Sequence, residues 1–369
     1  ALLHHLYRDR PQAQDAGFML YYLARNVGAL LGPLVGGMVA TWHGYPMAFC
    51  CNLLVMCSGF VVFFLGRAQF DATQKRVGRD VCAVKGMLSL SRSARQVVYV
   101  CAVVIACVLV AMLLDQLLQT AYVPLLLIAS ALLSLLLLYK LVRSTLLSSR
   151  VLFDILLTWA VVVVFFAFLG QGGTTLSLFI DRLVDRSVFG VELPTTFFFA
   201  LNPLFMLAIG PFLFMLLSRV TGTVNVLATI KKYILGLLLL GVGFGVFYIA
   251  SLQAALGLVS AWYVVLAYMI FPLAELAVMP VALSFVTQRA PEGMAATMVG
   301  FITLGMAVAS YGTGSISKLA SLPSDVSQVL AASQYGTVFA LSAVVLMMVS
   351  AVVAVAYVAR KRSFDTFSK

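Results

Sequence analysis

The sequence contains little charge for its length. Of its 369 residues, only 10% are Asp, Glu, Lys or Arg, whereas 63% are apolar. A soluble domain carries about a quarter charged residues, so this composition excludes a water-soluble enzyme. A nucleic-acid-binding protein is excluded as well, because it displays positive charge on a water-exposed face that this chain does not have. The mean hydropathy of +1.07 instead indicates a polytopic membrane protein.

Residue types that bind metals or perform covalent chemistry are also scarce. The sequence has 3 histidines and 6 cysteines, without metal-ligand spacing. The cysteines are interpreted as reduced thiols that act as small apolar side chains. The apolar stretches contain no paired acids, His-rich motif or Ser/Lys pair. The sequence therefore predicts neither an enzyme nor a bound cofactor or metal.

Long apolar runs make up most of the chain. A helix needs about 20 apolar residues to cross about 30 Å of hydrocarbon, and runs of that length fit helices and not barrel strands. The stretches that qualify are 16–40, 46–66, 97–117, 120–139, 152–179, 196–218, 233–252, 257–287, 294–317 and 336–359. The sequence thus predicts an all-α polytopic membrane protein with about ten transmembrane helices.

The basic residues are distributed unevenly between the predicted loops. With a cytoplasmic N-terminus, 20 of the 24 Lys and Arg residues lie on the cytoplasmic side, 3 lie outside, and Arg25 lies within a span. Cytoplasmic loops of membrane proteins carry an excess of Lys and Arg. We therefore expect both termini in the cytoplasm, and we interpret the net charge of +11 as a report of topology.

Two ionisable residues lie deep in predicted spans, where a charge costs about 2.5–3.5 kcal/mol on the insertion scale. Glu275 stands between Pro272 and Pro280 in an apolar span, which is typical of a helix that lines a cavity. It is a candidate for proton coupling, and the alternative is a structural carboxyl group between helices. Arg25 either pairs with a carboxylate or an anionic ligand, or extends toward the interface.

Further polar residues leave two interpretations open. Asn202, before Pro203, either faces a ligand or hydrogen bonds to another helix. Asp181 belongs to an outer cluster of charges that either gates a vestibule or is solvated. We expect Asp154 to form a surface ion pair with the nearby Arg150. Closely spaced glycines in the first span predict close helix packing and are Gly28, Gly32, Gly36 and Gly37.

Five segments resemble the proton-dependent oligopeptide transporter family of the major facilitator superfamily. Residues 21–28, Tyr-Tyr-Leu-Ala-Arg-Asn-Val-Gly, resemble the signature of its fifth transmembrane helix. The other segments, 171–182, 200–205, 274–291 and 335–339, resemble parts of its seventh, eighth, tenth and twelfth helices. Their order and spacing run along the whole chain, as in bacterial di- and tripeptide permeases.

The resemblance implies a major facilitator fold that lacks helices one to four, so that the chain is a fragment or a truncated form. Residues 1–66 would hold helices five and six, 67–96 a basic cytoplasmic linker, 97–150 an accessory two-helix hairpin, and 151–369 the six-helix C-terminal half.

The resemblance also implies the roles of individual residues. Asn26 and Asn202 match amides that contact the peptide, and Glu275 matches the carboxylate that holds the peptide amino terminus. Tyr22 and Gln171 are two further candidates for substrate binding. The candidates for proton coupling or gating are Glu275, Arg25 and Asp181. Three positions depart from the family pattern, with Gly170 for an acid that pairs across the outer gate, Arg25 for isoleucine and Gly300 for tryptophan.

The function implied by this family is symport of protons with di- or tripeptides by alternating access. Short peptides, protons and the lipid bilayer are the expected partners, with the proton as coupling ion, no cofactor and no nucleic acid. The expected location is the bacterial inner membrane. Two alternatives stay open, a transporter of amino acids or another small solute, and a membrane scaffold without transport activity.

Overall fold

The computed structural model describes residues 11–76, 149–188, 190–221, 226–290, 295–323 and 325–367. The chain divides into two compact units, of which one comprises Ala1–Asn52 with Thr145–Lys369 and the other Leu53–Ser144. The predicted spans 97–117 and 120–139, and most of the predicted linker, lie outside the described residues. The division into four parts therefore stays a prediction.

The described residues form ten α-helices. Their bounds are α1 Pro11–His43, α2 Tyr45–Arg76, α3 Ser149–Leu169, α4 Thr175–Leu183, α5 Thr195–Phe199, α6 Leu201–Thr221, α7 Val226–Ala254, α8 Trp262–Arg289, α9 Ala295–Leu319 and α10 Gln328–Phe367. A 3₁₀ turn, Gly170–Gly173, joins α3 to α4. The predicted loop that begins at residue 67 starts later in the structure, because α2 continues to Arg76.

Four two-residue strands lie between helices. They are β1 Val184–Asp185, β2 Ser187–Val188, β3 Val191–Glu192 and β4 Val259–Ser260. Strands β2 and β3 form an antiparallel hairpin, and β1 pairs in parallel with β4. The second pairing joins the connection after α4 to the connection between α7 and α8.

Seven helical stretches are long and apolar enough to cross a membrane. They are Tyr45–Gly66, Val151–Leu183, Thr195–Phe212, Val226–Ala254, Trp262–Arg289, Met298–Leu319 and Gln328–Val358. These stretches coincide with seven of the predicted spans. The predicted span 16–40 is helical within α1. Because the side chains before residue 24 lie outside the described part of the chain, its ability to cross a membrane stays a prediction.

Aromatic rings fill the space between α4, α7, α8 and α10. The ring centroid of Phe247 on α7 lies 5.4 Å from that of Phe339 on α10 and 6.2 Å from that of Phe271 on α8. Phe179 of α4 packs edge to face on Phe339 at 5.2 Å. Because these four rings are buried, they form a common core for the four helices.

Helices α7 and α8 come closest where α7 carries glycine. A methyl group at Gly243 would overlap the ring of Phe271, and one at Gly236 would overlap the side chain of Val278. For the glycines of the first span, close packing was predicted, but among the described atoms it is found at one position only. Only Gly37 approaches another helix, at Thr196, while side chains at Gly28, Gly32 and Gly36 would meet no described atom within 4 Å.

The close approach at Gly243 predicts a position-specific effect of one methyl group. We expect Gly243→Ala to lower the free energy of unfolding by about 1–3 kcal/mol, because the added methyl overlaps a ring that its neighbours hold in place. Gly245→Ala, two residues away on α7, is the matched control, because no described atom lies within 4 Å of the new methyl. That variant gains helix propensity and should be neutral or stabilising by up to about 1 kcal/mol. Thermal unfolding midpoints in detergent compare the two variants, and equal midpoints would contradict the packing.

Candidate functional site

A carboxylate and an amide meet between α6 and α8. Glu275 is buried, with 9% of its surface exposed, and lies between Pro272 and Pro280 on α8. The Nδ2 of Asn202, at the start of α6, donates a hydrogen bond to Oε2 of Glu275 at 3.4 Å. Because a carboxylate only accepts, this contact fixes which side of the amide faces Glu275. The structure thus brings these two predicted site residues together.

In this orientation, the side-chain oxygen of Asn202 has no hydrogen-bond donor beside it in the described part of the chain. Its Oδ1 is buried and makes no hydrogen bond with any described residue. A buried acceptor without a partner is costly, and most such atoms in proteins are satisfied by water or a ligand. Beside the carboxylate of Glu275, this oxygen is suited to accept from an ammonium group, which is cationic and donates three hydrogen bonds.

A third buried polar group, the hydroxyl of Tyr268, lies on the same helix as Glu275. Tyr268 precedes Glu275 by seven residues, about two helical turns, so both lie on one face of the helix. Its hydroxyl is buried next to Gly172 and has no hydrogen-bond partner within the described part of the chain. The sequence analysis missed Tyr268, although its seven-residue spacing from Glu275 could have indicated it.

The side chain of Gln171 is fully buried and holds the 3₁₀ turn against α9. Its Nε2 donates to the carbonyl oxygens of Thr313 at 3.0 Å and Ala167 at 3.2 Å. Its Oε1 accepts from the hydroxyls of Thr175 at 2.6 Å and Ser317 at 3.2 Å. These bonds occupy both amide hydrogens and the oxygen, so the amide joins helices in this structure. Its predicted role in substrate binding stays a prediction.

Gly170, at the start of the same turn, lies against α9. Any side chain at this position would overlap the hydroxyl of Thr313. That hydroxyl donates to the carbonyl oxygens of Ala167 and Ala309, at 3.0 and 3.1 Å. The structure therefore gives a steric reason for glycine at this departure from the family pattern.

Asp181 belongs to a separate, exposed cluster at the end of α4. Its Oδ1 lies 3.4 Å from the guanidinium of Arg186, which also contacts Glu192 at 2.6 Å. Thr195 donates to the same oxygen of Asp181 at 3.1 Å. Asp181 is 58% exposed, and within the described residues no contact joins it to Glu275 or Asn202. A gating role for Asp181 stays a prediction.

A cavity of about 610 Å³ lies near this cluster, lined in part by Asp185, Phe197 and Trp262. The pKa of Asp185 lies below its ordinary value, because the hydroxyl and the backbone N–H of Ser187 donate to its carboxylate. Of the predicted site residues whose side chains are described, none lines this cavity. The cavity is therefore distinct from the site between α6 and α8.

The predicted site residues on α1 differ in burial. Asn26 is buried and Arg25 is exposed, in a helix that packs against α6. In the described part of the chain, Arg25 forms no ion pair. Tyr22 lies in α1, but its side chain is not among those that the structure describes. The roles predicted for these residues stay predictions.

The expectation for Asp154 was wrong. Its side chain is only 1% exposed, and its Oδ2 binds Arg289 at 3.0 Å and Arg360 at 2.7 Å. It is thus a buried junction of α3, α8 and α10 and not a surface residue, while the side chain of Arg150 lies outside the described part of the chain. The sequence around Asp154, a charged residue near the end of an apolar run, is the same for a surface position as for a buried junction.

A family profile matches most of the chain. The profile of the POT family covers residues 1–338. The chain belongs to the POT family. This is the proton-dependent oligopeptide transporter family that the sequence motifs resemble, and the recognition from sequence is confirmed.

Two curated relatives show how much of a POT protein the chain covers. YclF of Bacillus subtilis, named an uncharacterized transporter, is 27% identical over 297 residues, which are 79% of this chain and 58% of YclF. Dipeptide and tripeptide permease A of Chromobacterium violaceum is 26% identical over 347 residues, which are 92% of this chain and 66% of that protein. The chain thus spans about three fifths of the length of these relatives.

A solved POT structure has the same fold. The crystal structure of a POT family transporter in complex with 5-aminolevulinic acid has a TM-score of 0.72 at 21% identity, and the match covers 96% of this chain and 71% of that one. The predicted all-α fold of the major facilitator type is confirmed. These POT proteins are transporters, which agrees with the prediction that the chain is not an enzyme.

The hydrogen bonds of Gln171 predict that its loss affects folding. We expect Gln171→Leu to lower the free energy of unfolding by about 3 kcal/mol, because buried hydroxyl and carbonyl groups lose their partner. Gln253→Leu on α7 replaces an exposed amide and should change it by less than about 0.5 kcal/mol. Thermal unfolding in detergent measures both. Unchanged unfolding with weaker peptide binding would instead favour the substrate-binding role of Gln171.

Proposed function

We propose that this POT chain serves in the import of di- and tripeptides together with protons, by alternating access across the bacterial inner membrane. The name of the Chromobacterium relative, a dipeptide and tripeptide permease, supports short peptides as the substrate class. The excess of basic residues in one set of loops supports cytoplasmic termini. The driving force is ample, since about 100 mV contributes roughly 2.3 kcal/mol per charge, close to 50-fold accumulation for one proton.

The contact between Asn202 and Glu275 carries this proposal. The amino terminus of a peptide is an ammonium group, and the site offers it a carboxylate and the unpartnered Oδ1 of Asn202. A carboxylate in apolar surroundings is costly when it is charged and alone. When the peptide leaves, a proton on Glu275 can replace the ammonium as the neutralising charge. One group thereby responds to both the substrate and the coupling ion.

The remaining candidates have subordinate roles in this proposal. Asn26, on the helix that packs against α6, is a candidate to bind the peptide backbone, and Tyr22 lies one turn before it. Gln171 is a further substrate-binding candidate. Arg25 and Asp181 are candidates for coupling or gating, Arg25 through an anionic partner and Asp181 through its ion pair with Arg186.

A second candidate function is transport of amino acids or another small solute. A POT transporter of the same fold was crystallised with 5-aminolevulinic acid, a small molecule that also carries an amine. An amine is the group that the Asn202 and Glu275 pair is suited to bind. A third possibility, a scaffold without transport, has no such support.

The assignment of Glu275 is tested by removing its charge. In proteoliposomes that contain the complete protein, we expect Glu275→Gln to reduce proton-driven uptake of a labelled dipeptide at least tenfold, because the ammonium loses its counter-charge. Asp325→Asn is the matched control, since this carboxylate is exposed and lies outside the proposed site. Uptake by Glu275→Gln at the rate of the control would overturn the assignment.

Ligand-induced changes in thermal unfolding separate the candidate functions. A dipeptide should raise the unfolding midpoint of the purified protein more than the same concentration of its free amino acids, because a stabilising ligand binds only the folded state. A larger effect of the amino acids would favour the second candidate. No effect of any of these solutes would favour the scaffold.

A further inference from the structure

We infer that Asp154 is a positioning residue for this site, because it fixes the C-terminal end of α8, the helix that carries Glu275, against α3 and α10. The inference rests on the proposed function, since it assigns to Asp154 an effect on the binding of the substrate amine. Asp154 itself touches no part of the Asn202 and Glu275 pair.

The junction joins three helices at one carboxylate oxygen. Asp154 lies in the second turn of α3, Arg289 is the last residue of α8, and Arg360 lies near the end of α10. Both guanidinium groups contact Oδ2, at 3.0 and 2.7 Å, and are 26% and 16% exposed. The guanidinium of Arg289 also lies over the ring of Phe285, 4.4 Å from its centroid. Its position is therefore defined from two sides.

Stability alone does not account for these charges. Removing a carboxylate and two guanidinium groups from water costs more than apolar side chains of the same volume would, and ion clusters of this kind can often be replaced without loss of stability. What the charges supply is a defined geometry, because a guanidinium binds a carboxylate in few orientations.

The path of α8 connects this junction to the substrate site. Glu275 and Arg289 are fourteen residues apart, about 21 Å along a helix, and Pro280 lies between them. Proline lacks the N–H that would bind the carbonyl four residues earlier, so the helix bends more easily at this point. An end of α8 that is held by Asp154 limits where the segment with Glu275 can lie relative to α3 and α6.

The junction also permits a second arrangement. The other oxygen of Asp154, Oδ1, is buried and makes no hydrogen bond with the residues described. If α8 or α10 shifts slightly along α3, a guanidinium can pass from Oδ2 to Oδ1 without leaving a charge uncompensated. The three helices therefore stay joined through a small displacement, as transport by alternating access requires.

A double-mutant cycle on the complete purified protein tests whether Asp154 acts through Glu275. We expect Asp154→Asn to weaken dipeptide binding about tenfold, and Glu275→Gln to weaken it much less in the Asp154→Asn background than in the wild type. If Asp154 had a purely structural role, the factors by which the two substitutions weaken dipeptide binding would multiply in the double variant. Asp325→Asn, combined with Glu275→Gln in the same way, is the control, and the factors by which these two substitutions weaken binding should multiply. Multiplying effects for Asp154 would overturn the inference.

A second measurement needs no peptide and separates this inference from the proposed function. Hydrogen exchange of the backbone amides in 276–289 should become at least tenfold faster in Asp154→Asn, whereas amides of α7 should keep their wild-type rates. Exchange in α8 at the wild-type rate would overturn the inference even if dipeptides bind. If the protein binds no dipeptide and exchange in α8 is nevertheless faster in Asp154→Asn, only the proposed function and the predicted effect on binding would be overturned.

Two further variants keep both measurements possible if Asp154→Asn folds in low yield. Asp154→Asn removes the carboxylate that Arg289 and Arg360 share, and the double variant Asp154→Asn with Arg360→Gln also removes one of the two guanidinium groups. The double variant should fold in higher yield than Asp154→Asn and still show fast exchange in α8. Asp154→Glu, which keeps the charge, should restore slow exchange and most of the dipeptide affinity. Failure of Asp154→Glu to restore either would contradict the role of the carboxylate.

Discussion

Hydrocarbon provides no hydrogen bonds, and a polar group within a membrane span has to find its partner inside the protein. Among the polar contacts between helices in the described part of this chain, three involve buried amide or charged side chains. Gln171 binds α9, Asn202 binds Glu275 on α8, and Asp154 binds arginines on α8 and α10. Apolar rings fill the space between α4, α7, α8 and α10, and their contacts are less directional than hydrogen bonds. The polar contacts determine which helices adjoin and at which level.

Helix α3 has polar contacts at both of its ends. The turn after its C-terminal end is held to α9 through Gln171, and its N-terminal part is held to α8 and α10 through Asp154. Pro280, where a backbone hydrogen bond of α8 is interrupted, lies between the contacts of Glu275 and Arg289, and the 3₁₀ turn Gly170–Gly173 carries Gln171 itself. Helix α8 can therefore bend at Pro280 while both of its polar contacts are kept. The alternating access proposed above needs helices that move without losing their neighbours.

Much of the fold followed from the sequence, because length and apolarity are local properties. Glu275 and Asn202 were found in the same way, as polar residues that apolar spans do not explain. Their mutual contact, across 73 residues, was not predicted. The burial of Asp154 was missed for a physical reason, since Arg289 and Arg360, which contact it, lie 135 and 206 residues along the chain. For Gln171, the deciding partners on α9 lie more than 140 residues along the chain, so its saturated hydrogen bonds had no signal in the local sequence.

The contact between Gly170 and Thr313 ties the residue at one position to the residue at the other. A side chain at Gly170, such as the acid of the family pattern that the sequence resembles, would need the space that the hydroxyl of Thr313 occupies. Making that space requires a smaller residue on α9, which would give up the contacts of the Thr313 hydroxyl with the carbonyl oxygens of Ala167 and Ala309. An acid at position 170 is therefore compatible with this packing only if position 313 changes with it.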